Sequence, residues 1–243
     1  MNIKIFGLTV LGMILFLSCE KKDETTDGTG KSVDLSRDLA CYYNFDLEEA
    51  SDISGKGNVG VISHGAKFTT DTPNGRGKAL SLDGTSQQYI NIPYRIIGDS
   101  VNYTLSIWVK DFGTGALITS ISDNRYSVPS FYINSDCNFV FNVSGHNNVA
   151  NQDISYLQTG VWHHLVLTAA RQLEKATIFV DGRLFDTKDV SYIEARDSKM
   201  VIGGNGDGSF SAWADPMLID NFRVYRRCLS AKEVTELYNQ ERQ

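Results

Sequence analysis

The segment Tyr103-Thr104-Leu105-Ser106-Ile107-Trp108-Val109-Lys110 carries apolar side chains at every odd position. In an extended chain successive side chains point to opposite faces, so Tyr103, Leu105, Ile107 and Val109 predict one buried face of a strand, with Trp108 on the other. The same β-branched and aromatic enrichment recurs in Phe131-Tyr132-Ile133, in Asn138 to Val143, in Trp162 to Ala169 and in Ala176 to Val180. Asp181-Gly182 follows the last of these, a dipeptide that tolerates the positive φ angles of a tight hairpin turn. Shorter strands are readable at Leu80 to Leu82, Tyr89 to Ile92, Met200 to Ile202 and Ile219 to Tyr225. Many short strands separated by Gly, Asn and Ser predict an all-β sandwich or jelly roll of antiparallel sheets. One helix is expected after them. Ser230-Ala231-Lys232-Glu233 is a capping box, and Val234, Leu237 and Tyr238 then share a helical face that packs on the sandwich.

Composition limits the partners. With 23 Lys plus Arg against 29 Asp plus Glu the formal charge is −6, which opposes the counterion release that drives binding to DNA or RNA. Nucleic acid is therefore not an expected partner. The four cysteines, Cys19, Cys41, Cys137 and Cys228, lack the close CxxC spacing of a zinc site and are too few for a disulfide scaffold.

The first 19 residues read as an export signal. Lys4 precedes the uncharged run from Ile5 to Leu17, which at about 1.5 Å per residue covers about 20 Å, less than the roughly 30 Å hydrocarbon core that a spanning helix must cross. Phe16-Leu17-Ser18-Cys19 resembles the lipobox of bacterial lipoproteins, with Phe16 where an aliphatic residue is usual. That resemblance implies lipidation at Cys19, a membrane anchor through its acyl chains, and an outer membrane lipoprotein. Lys22-Asp23-Glu24 is similar to the surface-export signal after the lipidated cysteine of some Gram-negative lipoproteins, which implies exposure at the cell surface. Residues 20–37 are polar and predict a flexible tether, with the folded domain running over 38–243.

Several segments taken in order resemble the laminin-G-like, concanavalin A-like jelly-roll family of bacterial surface proteins. They are Tyr42-Tyr43-Asn44-Phe45-Asp46, Asp52-Ile53-Ser54-Gly55-Lys56-Gly57-Asn58, Gly77 to Gly84, the strand ending in Trp108-Val109-Lys110, Trp162-His163-His164-Leu165-Val166-Leu167-Thr168, Ile178 to Gly182, Ile202-Gly203-Gly204 and Ile219 to Tyr225 leading into Leu229-Ser230. The resemblance covers nearly all of Leu39 to Asn239. It implies a two-sheet sandwich whose first and last strands pair antiparallel, with Phe45-Asp46 near Asp220. It also brings Cys41 toward Cys228, so the expectation is either a disulfide between them or two reduced thiols, with Cys137 left as a buried thiol. The family usually has a glycine three residues before the aspartate of the last strand. Met217 stands there in this chain, so the backbone near Asp220 is expected to differ.

Calcium is the cofactor the resemblance implies, in a structural role. Asp46, Asp52, Asn58 and Asp220 supply hard oxygen ligands of the type Ca²⁺ takes; the competing reading is that the loop aspartates only cap turns. Catalysis has little support. The Glu-x-Asp-x-x-Glu pattern of jelly-roll glycosidases is absent, no Gly-x-Ser-x-Gly nucleophile elbow occurs, and His163 and His164 alternate faces. For sugar recognition the candidates are Trp213 in a Gly-rich loop, Tyr126 among Ser, Asp, Asn and Arg, and Trp108, expected to line the concave sheet; packing under loops is the bland alternative for all three. The function that follows is a non-catalytic binding or adhesion module for a glycan. A structural or assembly subunit docking onto another envelope protein stays open, as does a glycoside hydrolase-type enzyme.

Overall fold

The computed structural model describes residues 33–63, 65–84, 88–92, 96–97, 102–113, 115–122, 125–134, 136–143, 147–154, 157, 159–190, 199–204 and 216–243. In chain order the strands are β1 (Leu39–Tyr43), β2 (Val61–Ile62), β3 (Lys67–Thr69), β4 (Ala79–Leu82), β5 (Ile90–Ile92), β6 (Asn102–Lys110), β7 (Gly115–Ser122) and β8 (Arg125–Ile133). They continue with β9 (Asn138–Asn142), β10 (Asn147–Asp153), β11 (His163–Ala170), β12 (Lys175–Val180), β13 (Arg183–Asp189), β14 (Lys199–Ile202) and β15 (Met217–Tyr225), before helix α1 (Ala231–Glu241).

These strands form two antiparallel sheets. Sheet A runs β13-β12-β11-β6-β15-β4-β3, with β1 also on β15, and sheet B runs β10-β9-β8-β7-β14-β5-β2. The expected pairing of first and last strands is present: Leu39 faces Tyr225 and Tyr43 faces Phe222. Alternation assigns the faces. Tyr103, Leu105, Ile107 and Val109 of β6 meet Leu165 and Leu167 of β11 and Phe139 and Phe141 of β9 in the core between the sheets. Each such side chain contributes roughly 1.5–3 kcal/mol on full burial.

A second core lies outside sheet A. Val166, Phe179 and Tyr225 point away from sheet B and are covered by Leu229, Val234 and Leu237. Helix α1 begins as its sequence predicts: Ser230 accepts from the Glu233 backbone N–H while the Glu233 carboxylate reaches back to the Ser230 N–H. Sheet A is therefore packed on both faces at its centre, by sheet B on one and by the helix on the other. Polar residues on its outer face find partners in consequence. Thr104 Oγ1 donates to the Arg227 carbonyl at 2.8 Å and accepts from the Leu229 N–H at 3.0 Å.

Three expectations are corrected here. Val33 and Leu35, inside the stretch read as tether, pack with Leu39 under α1, because two apolar side chains suffice to anchor a polar segment once a second core is available. Arg227 secures the same stretch, donating to the carbonyls of Arg37 at 2.9 Å and Asp34 at 3.3 Å. The Cys41–Cys228 bridge is absent. Cys41 is a free, buried thiol whose register partner is Val224, so alternation turns it into the core between the sheets. Cys228 lies beyond β15, its sulfur 3.0 Å from the Ala169 carbonyl oxygen on the helix side. Cys137 is not buried either. It is an exposed free thiol at φ 54° in the turn between β8 and β9.

Candidate functional site

Helix α1 decides which face of the sandwich is available. Trp108, expected to line an open sheet, is 2% exposed, because its outward face is the one the helix covers. Its indole N–H donates to Glu241 Oε2 at 2.7 Å, and Tyr238 stacks on the ring with centroids 5.5 Å apart and planes at 12°. The other side of the cluster is His164, stacked on Trp108 at 5.1 Å. Arg223 Nη2 lies 2.6 Å from Glu241 Oε1, and its guanidinium sits 3.6 Å above the Tyr42 ring. Burial raises the Glu241 pKa, opposed by Arg223 and by the Trp108 N–H. Burial also pulls the His164 imidazole down to about 3, so it is neutral across ordinary pH.

Ser106, His164 and Glu241 come together in this cluster without the geometry of a hydrolytic triad. Ser106 Oγ is 2.8 Å from His164 Nε2, and the Glu241 carboxylate approaches that same nitrogen at 3.9 Å. A triad needs the carboxylate on the other ring nitrogen, to orient the base. His164 Nδ1 has no partner here, and all three side chains are buried away from any substrate. His163 faces the opposite way. Its Nδ1 meets Asp181 Oδ2 at 2.9 Å, while Asp181 Oδ1 accepts the His164 N–H. With Asp181 at φ 50° and Gly182 at φ 73°, that carboxylate braces the β12–β13 hairpin turn that Asp181-Gly182 predicts.

The four metal-ligand candidates separate into two pairs. Asp52 Oδ1 accepts the N–H groups of Tyr42 and Ser54, both at 3.0 Å, and Oδ2 accepts the Asn58 N–H at 2.8 Å. Burial alone would raise its pKa, but these bonds outweigh it and hold the carboxyl below the usual range. Asn58 donates its amide to the Ala40 carbonyl at 2.8 Å. This pair locks the 52–58 loop onto β1, as turn-capping side chains do, and is not directed at an ion. Asp46 and Asp220 behave otherwise. Asp220 is 4% exposed, and its pKa is pushed up to about 8, first by burial and then by the carboxylates of Glu241 and Asp46. Asp46 Oδ1 accepts the Lys78 N–H at 3.0 Å in a position that a Cβ on Gly77 would overlap at 1.8 Å. Gly77, at φ 73°, is thus the residue that lets the Asp46 loop close. The backbone is irregular at Asp220, where a departure was expected. Met217 itself pairs regularly with Leu82, whereas the β15–β6 register shifts between Asp220 and Arg223, with Asn221 at φ 47°. Among the described residues no group of three His, Cys, Asp or Glu side chains is arranged to hold a metal ion.

Sheet B offers the other outer face. Phe131, Phe139, Phe141, Ile90, Ile92, Met200 and Ile202 point into the core, so alternation directs Asn91, Ser130, Tyr132, Val140, Asn142 and Val201 outward. Ser130 and Asn142 are direct cross-strand partners, as are Tyr132 and Val140, and Val201 and Asn91. Ser130, Val140, Asn142 and Val201 are only 2–5% exposed although they face away from the core, while Tyr132 and Asn91 are half-buried. The rest of the chain therefore already covers this face at those four residues. Sequence reasoning missed it, because these residues read as ordinary solvent-side positions of strands. Of the other candidates, Trp213 and its loop, the Tyr126 side chain and Cys19 lie outside the described residues.

The family model described as the concanavalin A-like lectin/glucanases superfamily (Laminin_G_3) matches residues 83–235. Paraclostridial mosquitocidal protein 1 of Paraclostridium bifermentans is 26% identical over 89 residues, which is 35% of this chain but only 6% of that protein. Among solved structures, domain 4 of AbnA, a GH43 extracellular arabinanase from Geobacillus stearothermophilus in complex with arabinotriose, superposes with a TM-score of 0.64 at 20% identity, covering 82% of this chain and 98% of that one. The binding domain of botulinum neurotoxin DC in complex with SialylT gives a TM-score of 0.64 at 16% identity, over 85% of this chain and 52% of that domain. At these identities the structural matches establish a shared fold.

Proposed function

The chain belongs to the concanavalin A-like lectin/glucanases superfamily, and from that premise we propose that it is a non-catalytic module that binds carbohydrate on the outer face of sheet B. The observation that carries this is the asymmetry of the sandwich. Helix α1 covers the centre of the outer face of sheet A, whereas on sheet B the half-buried Tyr132 of β8 and Asn91 of β5 retain partial access to solvent. Amide and hydroxyl side chains both donate and accept, as sugar hydroxyls require, and an aromatic ring beside them supplies an apolar surface. The similarity to an arabinanase domain solved with arabinotriose supports the ligand class. The buried Ser106–His164–Glu241 cluster supports a module without its own chemistry.

The test is binding of the purified chain to a glycan panel, repeated with Tyr132→Ala and Asn91→Ala. Loss of at least tenfold in affinity, with the thermal midpoint retained in one of the two variants, supports the reading. Co-purification of a single envelope protein with no response to sugar would favour an assembly subunit instead. Polysaccharide turnover abolished by changing one carboxylate would make the protein a hydrolase. Two further parts of the reading rest on the sequence: an outer membrane lipoprotein held through Cys19, and exposure at the cell surface. Palmitate labelling of Cys19 and protease accessibility on whole cells test them. A structural Ca²⁺ at Asp46 and Asp220 completes the proposal, supported by the hard oxygen donors of the two carboxylates and by the burial of Asp220, whose carboxylate a cation would stabilise. Asp52 and Asn58 are not part of that site.

A further inference from the structure

The sequence holds two Asn-Gly pairs, Asn74-Gly75 and Asn205-Gly206, and the first lies within the described residues, in the turn that joins β3 to β4. We propose that Asn74 is a site of spontaneous covalent modification, at which the side-chain amide cyclises onto the Gly75 backbone nitrogen and water then opens the ring to aspartate or isoaspartate. Asn74 Oδ1 accepts the Arg76 N–H at 2.9 Å, an Asx turn that folds the amide back along the Gly75 peptide. That N–H points at the oxygen on which negative charge gathers when Cγ is attacked, the placement by which backbone donors stabilise a tetrahedral intermediate. The attacking atom is lightly held. Gly75 N–H reaches the Thr72 carbonyl at 3.3 Å, longer than a usual amide bond, and a Cβ built on Gly75 would meet nothing within 4 Å.

In the first step the Gly75 nitrogen gives its proton to hydroxide and bonds to Asn74 Cγ. The Cγ–Nδ2 bond breaks, and Nδ2 leaves as ammonia with a proton taken from water, which regenerates the hydroxide. One water then opens the five-membered imide. Cleavage at Cγ restores the main chain with an aspartate side chain, whereas cleavage at the α-carbonyl routes the main chain through Cβ and Cγ and lengthens it by one methylene, about 1.5 Å. The turn has no slack for that length. Upstream, Asp71 is bound to Lys110 and to the Trp162 indole N–H. Downstream, the Lys78 N–H is bound to Asp46 Oδ1, and Ala79 pairs with Thr69. Between them Gly77 lies so close to Asp46 that a Cβ there would stand 1.8 Å from Oδ1. Isoaspartate at position 74 therefore presses on the Asp46 contact, while aspartate adds only a charge beside Arg76.

The experiment incubates the purified full chain at mildly alkaline pH, folded and in urea, and follows residue 74 by peptide mapping and by labelling with an isoaspartyl methyltransferase. The expected result is conversion in the folded chain at a rate within tenfold of the unfolded one, and none in Asn74→Gln, whose longer side chain would have to close a six-membered ring. Conversion more than tenfold slower in the folded chain would show that the turn protects Asn74 and would overturn the proposal. Anion exchange then separates the isoaspartyl chain, whose thermal midpoint is expected to lie below that of Asn74→Asp, which carries the same charge on an unaltered main chain. Equal midpoints would overturn the link to Asp46.

Discussion

Trp108 and Glu241 stand 133 positions apart in the chain, yet the indole N–H of one donates to the carboxylate of the other at 2.7 Å. The bond fastens the last turn of α1 to the centre of sheet A. Because Glu241 also neutralises Arg223, Glu241→Ala strands a buried guanidinium and should destabilise the fold by about 3–5 kcal/mol. Trp108→Ala removes the ring that Tyr238 and His164 stack on and should cost about 3–5 kcal/mol through the cavity it leaves. Urea unfolding read by far-UV circular dichroism measures both.

The buried imidazole of His164 makes stability depend on pH. Its pKa is about 3 in the folded chain and near 6.5 when unfolded, so between these values the unfolded state binds the extra proton. Its contribution is complete above about pH 6.5 and declines as pH falls toward 3. In His164→Gln this component vanishes, and the fall in thermal midpoint from pH 6.5 to pH 4 should be shallower than in the parent, as differential scanning calorimetry would record.

Calcium separates the two aspartate pairs. Added Ca²⁺ should raise the thermal midpoint of the parent and EDTA should return it. Asp220→Asn should abolish this response. Gly77→Ala should also abolish it, because the new Cβ occupies the place of Asp46 Oδ1. Asp52→Asn should lower the midpoint while keeping the full calcium increment, since Asp52 serves the backbone of the 52–58 loop.

Thiol chemistry distinguishes Cys137 from Cys41. Cys137 is exposed in a turn and should be alkylated by maleimide in the native chain. Cys41 is buried and its thiol pKa is raised by desolvation and by the nearby Asp52, so it should react only on unfolding. Peptide mapping after labelling with and without denaturant checks both sites.

The strands that can be read from the sequence are those with clean alternation or unbroken β-branched runs. β6, β9, β11, β12 and β15 fall where the patterns place them, and so does α1, whose capping box is a local signal. The pairing of β1 with β15 follows from the family resemblance. What alternation could not reveal is that both faces of β6 are covered. Ser106 and Trp108 read as solvent-side residues because the element that buries them lies more than a hundred residues later. The same limit applies to Cys41. Pairing of two strands brings two cysteines into one neighbourhood, but the direction of each sulfur depends on register, and one residue of offset reverses it. The burial of Ser130 and Asn142 on the outward side of sheet B was hidden for a related reason, since burial of an outward asparagine is a property of the assembled molecule.

The packing of Val33 and Leu35 beneath α1 sets where the preceding chain joins the sandwich. Whatever grips the residues upstream of Val33 pulls on the helix-bearing back of the sandwich, near the Arg227 clamp. In a chain tethered through those residues, the opposite side would be turned away from the tether, like a palm raised from the wrist.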